Sequence, residues 1–256
     1  MGQLITPEAL LLDFGGVLVA TTGRPGWAGE LAAELSDQLS RAGTPELTVD
    51  EIRTDLEAGA AADSYWKNAM SRPPTPRELT HREFWTDFVA ADWPPGPRAW
   101  VTAHASVLCR RMGELRQHRA HREGIPELLD TAAAAGIPVG VVSNALSGAV
   151  HRDYLERTGL VKQLAVQIYS DEMGIRKPHP ELILLAARAL GVPVGRTWYV
   201  GDNFDRDVLC ARRAGAGAAV LMEAPGTYQR PYAVRAVPDA IVPDPVALRT
   251  LLLEAL

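Results

Sequence analysis

The sequence predicts an α/β protein: a Rossmann-like parallel sheet covered by helices, with a second, all-helical domain inserted after the first strand. Three observations carry that prediction. From about residue 124 onward, apolar runs of strand length alternate with amphipathic helical stretches, the pattern of right-handed βαβ units. A run of the same kind, "ALLLDF", stands alone near the N-terminus. Between Val19 and about Gln117 there are several amphipathic helices and no convincing strand.

In the alternating region "EGIPELLDTAAAAG" reads as a helix, "IPVGVVSN" as a strand, and "LSGAVHRDYLERTG" as a helix ending on Gly159. "LAVQIYS" is then a strand, "HPELILLAARALG" a helix, "TWYVGD" a strand, "RDVLCARRAG" a helix and "AGAAVLM" a strand. The strands are almost continuously apolar, as in a sheet buried on both faces. In the insertion, "WAGELAAELSDQLSRAG", "DEIRTDLEAGAAADSYWKNAM", "TPRELTHREFWTDFVAAD" and "PRAWVTAHASVLCRRMGEL" read as helices separated by proline- and glycine-rich breaks. Thr80 and Glu83 have the spacing of a capping box inside the third of these. Five of the six tryptophans, Trp27, Trp66, Trp85, Trp93 and Trp100, fall here and are expected mainly to hold the small helical domain together. The domains are therefore 1–19 with 117–256 as a discontinuous core, and 20–116 as the helical insertion.

A chain of 256 residues with 47% hydrophobic and 22% charged residues is long enough and apolar enough for a large core. Its net charge of -5 excludes the basic footprint of a nucleic-acid binder. No stretch offers the ~18 consecutive apolar residues of a membrane span, and the N-terminus lacks the basic start and apolar run of a signal peptide. The expected setting is cytoplasmic, with a small-molecule partner, no nucleic acid and no membrane; a homodimer is left open. Cys109 and Cys210 lie far apart in helical stretches and read as buried thiols of a reduced protein.

In an open parallel sheet, ligands bind beyond the carboxyl ends of the strands where strand order reverses. Four polar groups sit at or just past such ends: Asp13 with Gly15 and Gly16, Ser143 with Asn144, Lys177 in "GIRKPHP", and Asp202 with Asp207 in "VGDNFDRD". Carboxylates converging from neighbouring strand tips make a hard oxygen site suited to Mg²⁺. A hydroxyl, backbone N–H groups and a lysine supply donors for phosphoryl oxygens, and a carboxylate can act as nucleophile.

The blocks "LLLDFGGVL", "VVSN", "RKPHPELI" and "VGDNFDRDVLCARRAG" resemble, in this order, the four motifs of the haloacid dehalogenase (HAD) superfamily. The helical insertion after the first strand resembles its subclass I, with an α-helical C1 cap. That resemblance covers nearly the whole core. It implies a Mg²⁺-dependent phosphatase of a small phosphorylated metabolite in which Asp13 is nucleophile and metal ligand and the Gly15 backbone carbonyl is a second ligand. It further implies that Asp202, with Asp207, completes the metal site, and that Ser143 and Lys177 bind the phosphoryl group, with the backbone around Gly16 and Asn144 adding donors. Asp205 is expected to be helix-start charge.

One position departs from the family pattern. Phosphatases of the superfamily usually carry a second Asp two residues after the nucleophile, as general acid and base; here that position is Gly15. Such help is worth ~10²–10⁴ in rate. Three readings follow: a proton donor from the insertion (Asp63, His81, Glu83 or His104), a substrate whose leaving group needs little protonation, or a non-catalytic phosphate-ester-binding protein. A lysine-assisted phosphonate hydrolase, with Lys67 as the only lysine of the insertion, is a further alternative. Metal-independent dehalogenation is disfavoured by Asp202 and Asp207.

Overall fold

The computed structural model describes residues 4–256 and divides into two compact units. The first runs to Thr21 and includes Ser71–Glu78 and Arg119–Leu256; the second comprises Thr22–Met70 and Leu79–His118. Eight strands occur among the described residues: β1 (Ala9–Leu12), β2 (Val19–Gly23), β3 (Gln117–His121), β4 (Val139–Ser143), β5 (Val166–Tyr169), β6 (Thr197–Gly201), β7 (Ala218–Met222) and β8 (Ala240–Val242). Six of them form one sheet in the order β5-β4-β1-β6-β7-β8, every pair parallel. β2 and β3 pair as a separate two-stranded ribbon at two of the four places where the chain passes from one unit to the other. These short polar strands lack the apolar alternation that would mark them in the sequence.

The second unit is helical. α1 (Trp27–Arg41) buries Leu31, Leu35 and Leu39, and α2 (Val49–Met70) buries Ile52, Leu56 and Ala60, each set one stripe of a 3.6-residue period. α3 (His81–Glu83) continues as a π-helical turn, Phe84–Val89. Gly59 lets that turn pack close to α2, since a Cβ there would lie 2.7 Å from Val89 Cγ2 and 3.0 Å from the Phe88 carbonyl. α4 (Pro95–Ala103) and α5 (Ala105–Arg116) replace the one long helix expected over 97–115. The break falls at His104, whose backbone leaves the helical region and whose ring stacks on Trp100. Trp85 is fully buried, and the Trp93 indole donates to Asp55 at 2.7 Å, so these two rings are core and anchor.

The helix expected from Thr75 begins instead at the Thr80 cap, where the capping box with Glu83 is formed. Pro73, Pro74 and Pro76 cannot donate to a helix, and the Glu78 amide donates outside it, to the Gly174 carbonyl at 2.9 Å. Ser71–Glu78, read from sequence as part of the insertion, thus packs with the first unit. Arg213 donates to the Pro73 carbonyl at 2.8 Å, and Arg176 N to the Pro76 carbonyl at 3.3 Å.

The remaining helices, α6 (Ile125–Ala134), α7 (Gly148–Thr158), α8 (Ser170–Met173), α9 (Glu181–Ala189), α10 (Leu209–Ala214) and α11 (Pro245–Ala255), belong to the first unit. The period-2 alternation of β1 sorts its side chains between two layers. Leu10 and Leu12 pack with Leu128, Leu155, Leu248 and Leu252 of α6, α7 and α11. Leu11 packs on the opposite face with Leu182, Ile183 and Ala211 of α9 and α10. β8 and α11 lie beyond the last run the sequence pattern picked out. Because all six strands are parallel, their carboxyl ends share one edge, and the strand order turns at β1, between β4 and β6.

Candidate active site

Asp13 is the first residue past β1, and its amide continues the ladder by donating to the Val200 carbonyl at 2.9 Å. The side chain is thereby held at the tip of the central strand, 7% exposed. Its Oδ1 accepts from the Phe14 amide at 2.7 Å and from Lys177 Nζ at 2.9 Å, and the Ser143 hydroxyl, at the end of β4, favours the ionised form of the same carboxylate. Burial pushes the Asp13 carboxyl above its ordinary value; Lys177 opposes that shift, and the charge of Asp207 adds to it.

Lys177 is fully enclosed. Its ammonium has three protons, and three acceptors surround it: Asp13 Oδ1, Asp207 Oδ1 at 2.6 Å and the Tyr199 hydroxyl at 2.8 Å. Burial alone would lower its pKa, but the two carboxylates outweigh burial and hold the ammonium charged. Asp207 Oδ2 accepts from the Asn203 amide at 2.9 Å. The Lys177 charge and these hydrogen bonds outweigh burial and keep the Asp207 carboxyl below its usual value. Asp202 follows β6 directly, and burial together with the charges of Asp207 and Asp13 raises it to about 8.

Asp13, Asp202 and Asp207 each offer a carboxylate oxygen within 4.8 Å of the others. Two glycines make that approach feasible. A Cβ on Gly16, whose φ is +75°, would fall 2.4 Å from Asp202 Oδ2, and a Cβ on Gly201 would fall 2.2 Å from the Asp207 side chain. The crowding of three acids, with one carboxyl driven up to about 8 by burial and by the charges of its neighbours, is the electrostatic signature of a site short of positive charge. The hard oxygen donors suit Mg²⁺.

The surroundings of Gly16, Asn144 and Asp205 show what each does locally. The Gly16 amide is spent within the turn, donating to the Val19 carbonyl at 2.9 Å, so it is no phosphate donor; the residue's part is to admit Asp202. The Asn144 side chain clamps the Lys177 backbone, accepting from its amide at 2.7 Å and donating to its carbonyl at 3.1 Å. Asp205 stands, as expected, in the first turn of a helical segment, the π-helical turn Phe204–Val208, where it is 2% exposed and 3.7 Å from Arg206. Gly15 has an ordinary φ, and a Cβ there would meet nothing within 4 Å. Tyr199 was missed. Its signal is an aromatic residue with a polar tip inside the otherwise apolar "TWYVGD" strand.

Within the helical unit, all four candidate proton donors have structural partners. Glu83 completes the capping box, His81 Nδ1 lies 2.9 Å from the Ser106 hydroxyl, and His104 Nδ1 lies 2.8 Å from the Trp100 carbonyl. Asp63 is buried in a 2.6 Å ion pair with Lys67. Both cysteines are buried thiols.

Comparison with known proteins gives a consistent picture. The family model for haloacid dehalogenase-like hydrolases matches residues 7–215. A phosphoglycolate phosphatase of Xanthomonas campestris is 27% identical over 214 residues, 82% of this chain and 80% of that protein. An N-acetylmuramic acid 6-phosphate phosphatase of Pseudomonas aeruginosa is 26% identical over 214 residues, 84% of this chain and 81% of that protein. The crystal structure of a HAD phosphatase from Thermococcus onnurineus superposes with a TM-score of 0.60 at 20% identity, covering 95% of this chain and 97% of that one.

Proposed function

Because the chain belongs to the haloacid dehalogenase-like hydrolases, we propose that it is a Mg²⁺-dependent phosphatase acting on a small phosphorylated metabolite through an aspartyl-phosphate on Asp13. The observation that carries this reading is the Asp13 carboxylate at the tip of the central strand, paired with Lys177 at 2.9 Å and clustered with Asp202 and Asp207. The names of the phosphatase relatives support the same reaction class.

In the proposed reaction an Asp13 carboxylate oxygen attacks phosphorus, a new P–O bond forms, and the bond to the ester oxygen breaks, that oxygen taking a proton from water as the alcohol leaves. Lys177 and the Ser143 hydroxyl stabilise the equatorial oxygens from a buried setting in which such donors count for more than in water. Since Asp13, Asp207 and Tyr199 already occupy the Lys177 protons, a phosphoryl oxygen enters this set by taking over the donor that Asp13 uses at rest. That exchange frees the nucleophile as substrate arrives. Asp13, Asp202, Asp207 and the Gly15 carbonyl are the groups that would hold Mg²⁺, which when bound offsets the acid cluster and the phosphoryl charge. Water then attacks the aspartyl-phosphate, releasing phosphate and regenerating Asp13. The lysine-assisted phosphonate alternative loses support, because the Lys67 ammonium is engaged by Asp63.

The test is phosphate release from a panel of phosphomonoesters with Mg²⁺, including phosphoglycolate, hexose 6-phosphates and p-nitrophenyl phosphate. Turnover of at least one member is expected, with a loss of at least ~10³-fold in Asp13→Asn. Binding of these esters without turnover would favour the non-catalytic reading instead.

A further inference from the structure

We propose that Glu78 is a positioning residue for the reaction at Asp13, its single buried carboxylate tying together the two loops that carry Lys177 and Ser143; the inference rests on the phosphatase reading above. Glu78 is 5% exposed, and its Oε1 accepts from Arg176 Nη1 at 2.6 Å. Arg176, 1% exposed, directly precedes Lys177. Glu78 Oε2 accepts from the Ser170 hydroxyl, and Ser170 Oγ in turn accepts from the Ala145 amide at 2.9 Å. Ala145 stands two residues past Ser143.

Each loop is therefore gripped at a point next to its functional side chain. Residue 176 is held twice by the same segment, through its guanidinium to Glu78 and through its amide to the Pro76 carbonyl. On the other side of that bond, the Lys177 peptide is clamped by Asn144. A buried ion pair adds little net stability over an apolar pair of similar volume. What Glu78 adds is geometry: two oxygens of one carboxylate, at fixed separation, register the Lys177 loop against the β4 loop. Displacements of about 1 Å at such groups can cost ~10²-fold in rate. Ser71–Glu78 is itself held on the first unit by the Arg213 contact to Pro73 and by the Tyr232–Ser71 hydroxyl pair, so the anchor does not depend on Glu78 alone.

Removing one partner would strand a buried charge, so the test removes both, in Glu78→Leu/Arg176→Leu. Two readouts are taken on the full chain. Amide exchange over 144–147 and 174–179, without substrate, reads the registration directly, and steady-state kinetics on p-nitrophenyl phosphate reads its effect. The double variant is expected to stay folded, to exchange at least ~10-fold faster in both stretches, and to lose roughly 10–100-fold in kcat with KM within about threefold. A folded double variant with unchanged exchange, or with kcat within about twofold of the parent, overturns the proposal. Should that variant not fold, Ser170→Ala removes only the hydroxyl link. Faster exchange of the Ala145 amide with a fall in kcat then supports the proposal, and no change in either overturns it. Should the parent chain release no phosphate from any ester, the phosphatase reading fails on its own and the exchange data alone decide the role of Glu78.

Discussion

Gly15 and Gly16 are neighbours with opposite constraints. Gly16 has φ +75° and lies where any Cβ would strike Asp202, whereas Gly15 has an ordinary φ and open space around it. Glycine is thus required at 16 for the acid cluster to assemble, and position 15 is free to carry a side chain. It follows that Gly15→Asp should fold with little change in melting temperature. If general acid–base help is what the chain lacks, the substitution raises kcat for esters with poor leaving groups by ~10²–10⁴. Comparing alkyl and aryl phosphates in the parent and in Gly15→Asp checks this. An unchanged rate on alkyl esters would show that a proton donor is already supplied from another position.

At the scale of elements, the tip of β1 is braced by α7. The His151 ring stacks on Phe14 at 3.9 Å and 9° between planes, and meets Tyr169 edge-on. Burial, with a contribution from the Arg119 charge, lowers the His151 pKa to about 3. In the unfolded chain the imidazole titrates near its ordinary value of 6.5, so the unfolded state binds the proton first. Stability from this group is complete above pH 6.5 and is lost progressively as pH falls toward 3. His151→Phe, which keeps a flat ring against Phe14, should therefore melt at a less acid-sensitive temperature than the parent between pH 7 and 4, as followed by thermal unfolding at several pH values. Equal slopes for the two proteins would contradict the assignment. The strands around this site were legible because each is a short apolar run ending in a polar residue, and parallel topology puts all such ends on one edge. Glu78 and Tyr199 were not. Glu78 meets Arg176 across 98 residues of sequence, and Tyr199 is one more aromatic residue in an apolar strand until the fold sets it beside Lys177. The ribbon strands β2 and β3 and the segment Ser71–Glu78 were equally hidden, since none has a periodic apolar face.

For the whole molecule, the proposed metal site would make metal and stability interdependent. Asp202, near 8 when folded and 3.8 in the open chain, keeps its proton longer in the folded state. The metal-free protein therefore loses stability from this group as pH rises from about 4 through 8. A cation held by ionised carboxylates reverses that loss and stabilises by mass action. Millimolar Mg²⁺ should raise the melting temperature more at about pH 8.5 than at about pH 5.5, and the increment should shrink in Asp202→Asn; a shift independent of pH would count against the site.

Whether Asp13 carries the phosphoryl group is read by acid-quench mass spectrometry during turnover of a good substrate with Mg²⁺. A transient gain of one phosphoryl mass is expected on the peptide containing Asp13, absent in Asp13→Asn. Steady phosphate release with no adduct at Asp13, continuing in Asp13→Asn, would contradict it.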